Sequence, residues 1–418
     1  MIFYLNMKAM KNRLFTTLLC LFSIALSVAL FLSVERVRSG ARDGFTQTIS
    51  QTDLIVGARG GSIQLLLYSV FHIGNPSNNI RFSSYEKIKN HPMVNWTIPF
   101  SLGDSYRGHR VVGTSTDFFT YYRFRGDRQI EFAEGSPFSS LFEVVIGAEV
   151  AKKFQLKLGD PLVLSHGISS EAILKHDQLP FIVAGILTPT QTPVDKALYI
   201  SLQGMEAIHI GWESGVPKAG SIPSQDQINS DEIKVNQLTA FLLGAKNRIQ
   251  VLRLRNDIAQ FSDEPLQAVI PALALQELWQ TLSYIEQILL LISLCVFLVG
   301  LTGILISLYT SVQERRREMA ILRSLGAGLK HIAGLLIAES LTLVVVGSML
   351  GIGLFYLMLS LIGPYLESEF SLYLPLSPLA LNEWKIIGMV VMAGLCIGLI
   401  PAFKASFNSL QDGLTQTN

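Results

Sequence analysis

The densest patch of functional chemistry in this chain is a charged run at residues 314–328, ERRREMAILRSLGAG. Arg315, Arg316 and Arg317 stand between Glu314 and Glu318, and Ile321, Leu322 and Leu325 recur at helical spacing before Gly326. Groups of this kind break no covalent bonds. Guanidiniums beside an apolar stripe suit docking into a groove on a partner, and the glycine suits the end of a helix. The plain alternative is a solvated loop. Either way, so charged a turn between two long apolar segments cannot lie in hydrocarbon and must face water beside a bilayer.

Residues able to do covalent chemistry are sparse. No GxxxxGK[ST] phosphate loop occurs, and GARGGS at 57–62 lacks the lysine and the spacing to cradle phosphates. There is no HExxH and no nucleophile elbow. The seven histidines are scattered, and none falls at metal-ligand spacing with a cysteine, carboxylate or second histidine. The expectation is a chain with no catalytic residue, no cofactor site and no metal site. Asn95-Trp96-Thr97 fits a glycosylation sequon by chance. Glu339 is the one carboxylate inside an apolar run, where a charge is costly. It is expected to pair with an arginine of 315–317; a coupling role or a proton relay are the alternatives.

The elements that must position these residues are mostly membrane spans. The chain has 418 residues, 49% hydrophobic and 16% charged, with a mean hydropathy of +0.39. Apolar segments at 14–34, 287–310, 335–361 and 386–403 are each long enough to cross a bilayer. The first exceeds a signal-peptide core and reads as an uncleaved anchor. Five basic residues in 309–331 put that loop in the cytoplasm, and the acidic 362–385 loop lies outside. Residues 1–13 and 404–418 are then cytoplasmic, and 35–285 form an outer domain. Gly347 with Gly351, and Gly394 with Gly398, give two GxxxG spacings, suited to a dimer contact or to packing within one subunit.

The outer region carries 21 Lys/Arg and 23 Asp/Glu between 40 and 284, a balance that argues against nucleic-acid binding. Cys20, Cys295 and Cys396 all fall in spans, where they read as small apolar filler, so no disulfide is expected outside. Strand signals at 53–57, 94–100, 110–112, 181–185, 197–200 and 234–243 alternate with helical ones near 83–91 and 248–261. Phe181–Gly185 and Ala197–Ile200 read as a pair of strands around a Pro/Thr-rich turn. Gly211–Asp231 reads as a loop or a subdomain boundary. From Pro265 the pattern turns helical and runs unbroken into the second span, a rod able to carry movement between membrane and outer domain. The fold class is membrane α plus extracytoplasmic α+β, with two lobes between helices 1 and 2.

The chain resembles the permease family of the macrolide exporter MacB, the division protein FtsX and the lipoprotein-releasing permeases. The likeness rests on ERRREMAILRSLGAG, on Ile337–Leu341 followed by Gly347, Gly351 and Gly353, and on GLCIGLIPAFKA at 394–405. VVIGAEVAKKFQLKLGDPLVL (144–164) and FIVAGILTPTQTPVDKALYI (181–200) add to it in the outer domain. The resemblance implies an ABC-transporter permease in the bacterial inner membrane, homodimeric or paired with a second permease. It would be served by a separate cytoplasmic ATPase that binds the ATP and magnesium. It also implies a membrane-proximal lobe near 40–122 with 232–272 and a distal lobe near 123–210. Glu314–Gly326 would be the coupling helix at 311–331. The function implied is movement of the periplasmic domain, exporting or extracting a peptide, lipid-like or hydrophobic small molecule. An adaptor and an outer-membrane channel could be further partners. A mechanical regulator of a periplasmic enzyme is the alternative. A sensory receptor would need two spans and a signalling domain, whereas 15 residues follow Phe403.

Overall fold

The computed structural model describes residues 14–167, 176–210, 225–228, 233–314, 329–370, 374 and 376–411, with 41–47, 226, 311, 314, 329–332, 367–370 and 401–411 given by backbone alone. They divide into an outer unit, Arg42–Thr281, and a membrane unit formed by Met1–Ala41 and Leu282–Asn418. Most of the expected 211–231 loop lies outside the described residues.

The chain opens with helix α1 (Leu14–Thr48), followed by β1 (Leu54–Ala58), α2 (Ser62–Val70), β2 (Ile80–Arg81) and α3 (Phe82–Lys89). Next come β3 (Val94–Tyr106), β4 (His109–Thr114), α4 (Asp117–Tyr121), β5 (Arg123–Phe124), β6 (Arg128–Gln129), β7 (Phe132–Gly135) and β8 (Glu143–Ile146). After α5 (Ala148–Phe154) lie β9 (Pro161–Leu162), β10 (Ser165–His166), β11 (Phe181–Leu187), β12 (Leu198–Ser201) and α6 (Leu202–Ala207). The outer unit closes with β13 (Gln237–Leu238), β14 (Ala240–Ala245), α7 (Val251–Ala259) and β15 (Leu266–Val269). Three long helices follow: α8 (Pro271–Glu314), α9 (Leu329–Phe370) and α10 (Leu381–Gln411).

One mixed sheet organises the outer unit, in the order β15-β1-β14-β3-β4-β12-β8-β11-β7, with β10 on β3 and β9 on β11. Alternation along each strand splits the side chains between two faces. Ile55, Ile98, Val112, Tyr199, Val145 and Leu187 share a single core on one face. The opposite face carries two separate cores. Leu54, Val56, Phe241 and Leu243 build one beneath α3 and α7, while Val111, Val144, Leu198 and Ile200 build the other with Val150 and Met205. The two lobes are thus halves of one sheet, joined by the parallel pairing of β4 with β12, and separate only on the face where each has its own core.

Several local expectations change. Phe181–Leu187 and Leu198–Ser201 are strands but not partners, because β8 lies between them, parallel to β11 and antiparallel to β12. Residues 266–269, expected to be helical, add an edge strand antiparallel to β1, and the helix starts at Pro271. Proline suits that first turn because its missing N–H has no partner to lose. Helix α3 begins at Phe82, one residue before the start of the expected helical stretch, and Arg81 at its N-cap makes no side-chain cap. Gly244 faces Trp96 across the β14–β3 pair, and a Cβ there would strike the indole ring, so only glycine fits.

Four helical stretches are long and apolar enough to span a membrane: Leu14–Gly40, Pro271–Thr310, Ala333–Leu366 and Leu381–Ile400. Within the membrane unit, Val28 and Leu32 of α1 pack with Ile304 of α8, Val344 and Phe355 of α9 and Val390 of α10. Phe15, Leu291, Ile306, Met349, Leu361 and Met389 point outward, a surface costly in water and suited to lipid. The glycines are used inside this bundle. A Cβ on Gly347 would lie 2.8 Å from Ile24, and one on Gly351 would lie 2.7 Å from Val28, so α1 lies close against α9. Gly394 meets Val344 and Gly398 meets Ser340, where α10 packs on α9. The Ser340 hydroxyl donates to the Gly394 carbonyl at 2.8 Å. These contacts put the four glycines at helix–helix packing surfaces within the chain.

Candidate functional site

Three places in the molecule hold chemistry that could matter, and they stand very differently. Of the charged run, Arg315, Arg316, Arg317, Glu318, Ile321, Leu322, Leu325 and Gly326 lie outside the described residues. Glu314 closes α8, with only its backbone described. Glu339 lies on α9 and is buried, 3% exposed. Its expected arginine partners belong to the segment that is not described.

The second place is a buried ion pair in the membrane unit. Arg36 donates through Nε to Glu383 Oε1 at 2.7 Å and through Nη2 to Oε2 at 2.8 Å, a two-pronged bond that the planar guanidinium is shaped to make. Both side chains are almost fully buried. The remaining polar capacity is taken up nearby: Arg36 Nη1 reaches Ser377 Oγ at 2.8 Å, and the Ala380 N–H donates to Glu383 Oε2 at 2.7 Å. Tyr356 donates its hydroxyl to the Ser377 carbonyl, and the Arg36 guanidinium sits over the Phe355 ring. The pair ties α1 to the start of α10. Beside it opens an apolar cavity of about 210 Å³, lined by Val37, Phe355, Met358, Ile362 and Leu366 among others.

The third place gathers histidines that are scattered along the sequence. Asp104, His166, His176 and His209 come together in the outer unit, their ligand-capable atoms all within 4.8 Å of one another. Asp104 lies where the register of β3 against β4 shifts between Leu102 and Ser105, a bulge that re-aims its side chain. Short strand β10 pairs with β3 so that His166 stands opposite Asp104. His176 is fixed by its backbone N–H on Leu164, and His209 lies in the turn after α6. The contacts to Asp104 run 3.2 Å from His166 Nδ1, 3.6 Å from His176 Nε2 and 3.5 Å from His209 Nε2.

Burial pushes the Asp104 carboxyl up, but His166, His209 and His176 around it outweigh that and hold it down at about 2. His176 is driven the other way by its own burial, to about 4, despite the nearby carboxylate. For His209 burial opposes protonation, yet Asp104 and the Met205 carbonyl raise its pKa overall. At neutral pH the Asp104 carboxylate is therefore ionised.

Sequence reasoning missed this cluster because Asp104 and His209 lie 105 residues apart, and no two members fall at a short, recognisable spacing. It missed the Arg36–Glu383 pair for the same reason, since those two residues lie 347 apart in the chain.

Comparison with known proteins accounts for both halves of the chain. Residues 17–234 match the MacB-like periplasmic core domain, and residues 290–410 match the FtsX-like permease C-terminal domain. No curated protein matches the chain. Among solved structures, the periplasmic region of MacB from Actinobacillus actinomycetemcomitans aligns at 10% identity and a TM-score of 0.34, over 55% of this chain and 94% of that one. The extracellular domain of the noncanonic ABC-type transporter YknZ from Gram-positive bacteria aligns at 11% identity and a TM-score of 0.30, over 52% and 99%. The periplasmic-core match alone spans more than half of the chain, and with the permease match after it the chain belongs to the MacB/FtsX family of ABC-transporter permeases.

Proposed function

We propose that this permease converts ATP hydrolysis by a separate cytoplasmic ATPase into movement of its outer domain, and so exports or extracts a hydrophobic substrate. The observation that carries the reading is the unbroken helix α8. It starts two residues after edge strand β15 of the outer sheet and ends at Glu314, where the charged run begins. A continuous α-helix keeps every internal backbone hydrogen bond and resists bending, so displacement at one end is passed to the other. In this scheme Glu314–Gly326 docks into the ATPase under the inner leaflet, with both termini in the cytoplasm and the permease acting as a homodimer or paired with a second permease. Glu339 steadies the docking segment through an arginine. ATP and magnesium belong to the partner, since this sequence lacks the phosphate loop to hold them.

The apolar cavity beside Arg36 favours a lipid-like or hydrophobic small-molecule substrate over a polar one. An adaptor and an outer-membrane channel would complete an export route. The docking half of the scheme is tested by reversing Arg316 and Arg317 to glutamate together with Leu325→Asp. The expected result is that the cognate ATPase no longer co-purifies and its turnover is no longer stimulated. An ATPase that still binds and still responds would sink the assignment.

A further inference from the structure

We propose that Asp104, His166, His176 and His209 form a binding site for one divalent late first-row transition metal ion, Zn²⁺ being the reference member of that class. The donor set is the first argument. Three imidazole nitrogens and one carboxylate oxygen suit zinc, nickel, cobalt or copper, while magnesium and calcium prefer sites built from oxygen. Geometry is the second. A tetrahedral ion with bonds of about 2.0–2.1 Å sets its ligand atoms about 3.4 Å apart. The separations of 3.2 Å from His166 to Asp104 Oδ1, and of 3.6 and 3.5 Å from His176 and His209 to Oδ2, lie near that edge, and the four residues' ligand-capable atoms all fall within 4.8 Å of one another.

The shell behind the ligands is the third argument. His209 Nδ1 lies 2.7 Å from the Met205 carbonyl, which accepts its N–H, and this turns Nε2 toward Asp104, where an ion would take the place of a proton on that nitrogen. Metal-bound histidines are held in this way, with the second ring nitrogen donating to a carbonyl so that tautomer and ring angle are set beforehand. Asp104 itself is fully buried, and neither of its oxygens accepts a hydrogen bond of normal geometry among the described residues. A buried carboxylate is costly unless paired or ligating a cation, so an incoming ion would supply what the protein alone leaves incomplete.

The site is also reachable. The side chains of His166 and His209 are 37% and 30% exposed, while His176 and Asp104 form the buried floor. Its ligands come from the β3 bulge, from β10, from the segment leading to β11 and from the turn after α6, so one ion fastens four segments around the core that contains Val111 and Ile200. None of this depends on the coupling scheme: an ATPase that failed to dock would leave it standing.

The test is a Zn²⁺ titration of the full-length, untagged chain in lipid nanodiscs, read by competition with a chromophoric chelator. Wild type should take up one equivalent per chain. The H166A/H209A double variant, altered only at the solvent-facing ligands, should lose at least tenfold in affinity, while H91A outside the cluster should match wild type. A loss smaller than tenfold, or an equal loss in H91A, overturns the proposal. Co²⁺ on the wild-type chain gives a check that needs no variant. Intense visible d–d bands of a four-coordinate site are expected, and the weak spectrum of the hydrated ion would overturn the proposal as well.

Discussion

Two carboxylates, Glu383 in the membrane unit and Asp104 in the outer unit, are both buried and ionic, yet their surroundings differ in kind. Glu383 receives both prongs of Arg36 and a backbone N–H from Ala380, each at hydrogen-bonding distance. Its neighbours Ser377 and Tyr356 complete the network. Asp104 faces three imidazoles at 3.2 to 3.6 Å, and neither oxygen accepts a well-formed bond. A fully bonded buried network rigidifies, whereas a buried carboxylate whose own oxygens lack well-formed hydrogen bonds leaves room for an ion to complete it. The first therefore holds helices together, and the second is the place to look for an ion.

The contrast can be broken most forcefully at Arg36. Arg36→Met leaves Glu383 buried without its cation and should cost about 3–5 kcal/mol, seen as a large fall in the melting temperature of the nanodisc-held protein. Adding Glu383→Leu should return most of that loss. If the double variant is no better than the single, Glu383 is not held by Arg36 as described. In the outer unit the contrast runs the other way, because the wild-type cluster should gain stability from outside the chain. Free Zn²⁺ at a hundred times its dissociation constant should add about 2.7 kcal/mol, and H166A/H209A should lose that response. A melting curve indifferent to zinc would put Asp104 in the same class as Glu383.

The packing of the membrane unit offers a finer probe. Gly351→Val drives a side chain against Val28 and the Ala25 carbonyl and should cost about 1–3 kcal/mol through overpacking. Gly353→Ala, where a Cβ meets nothing within 4 Å, should be neutral or slightly stabilising. Equal effects would show that α1 does not lie against α9 at Gly351. A modest loss is expected at Tyr122, whose hydroxyl donates to the Thr48 carbonyl at 2.6 Å in the outer unit. Tyr122→Phe should cost about 1 kcal/mol, measured by denaturant unfolding with unchanged zinc uptake.

The amino-acid sequence alone determined the four spans, the large domain between the first two, the charged run at 314–328 and, through its motifs, the resemblance to the permease family. All of these are local: a membrane-length apolar run or a cluster of arginines is legible in a window of about twenty residues, because bilayer thickness and charge solvation act on each segment separately. Strands such as Leu54–Ala58 were legible for the same reason. Tertiary structure alone decided what meets across long sequence separations. It placed β8 between β11 and β12, turned 266–269 into an edge strand, and set Gly351 against Val28 within one chain. It also brought Arg36 to Glu383 and three distant histidines to Asp104. The physical reason is that pairing order and side-chain encounter depend on how the whole sheet and the bundle close, and no local spacing records that.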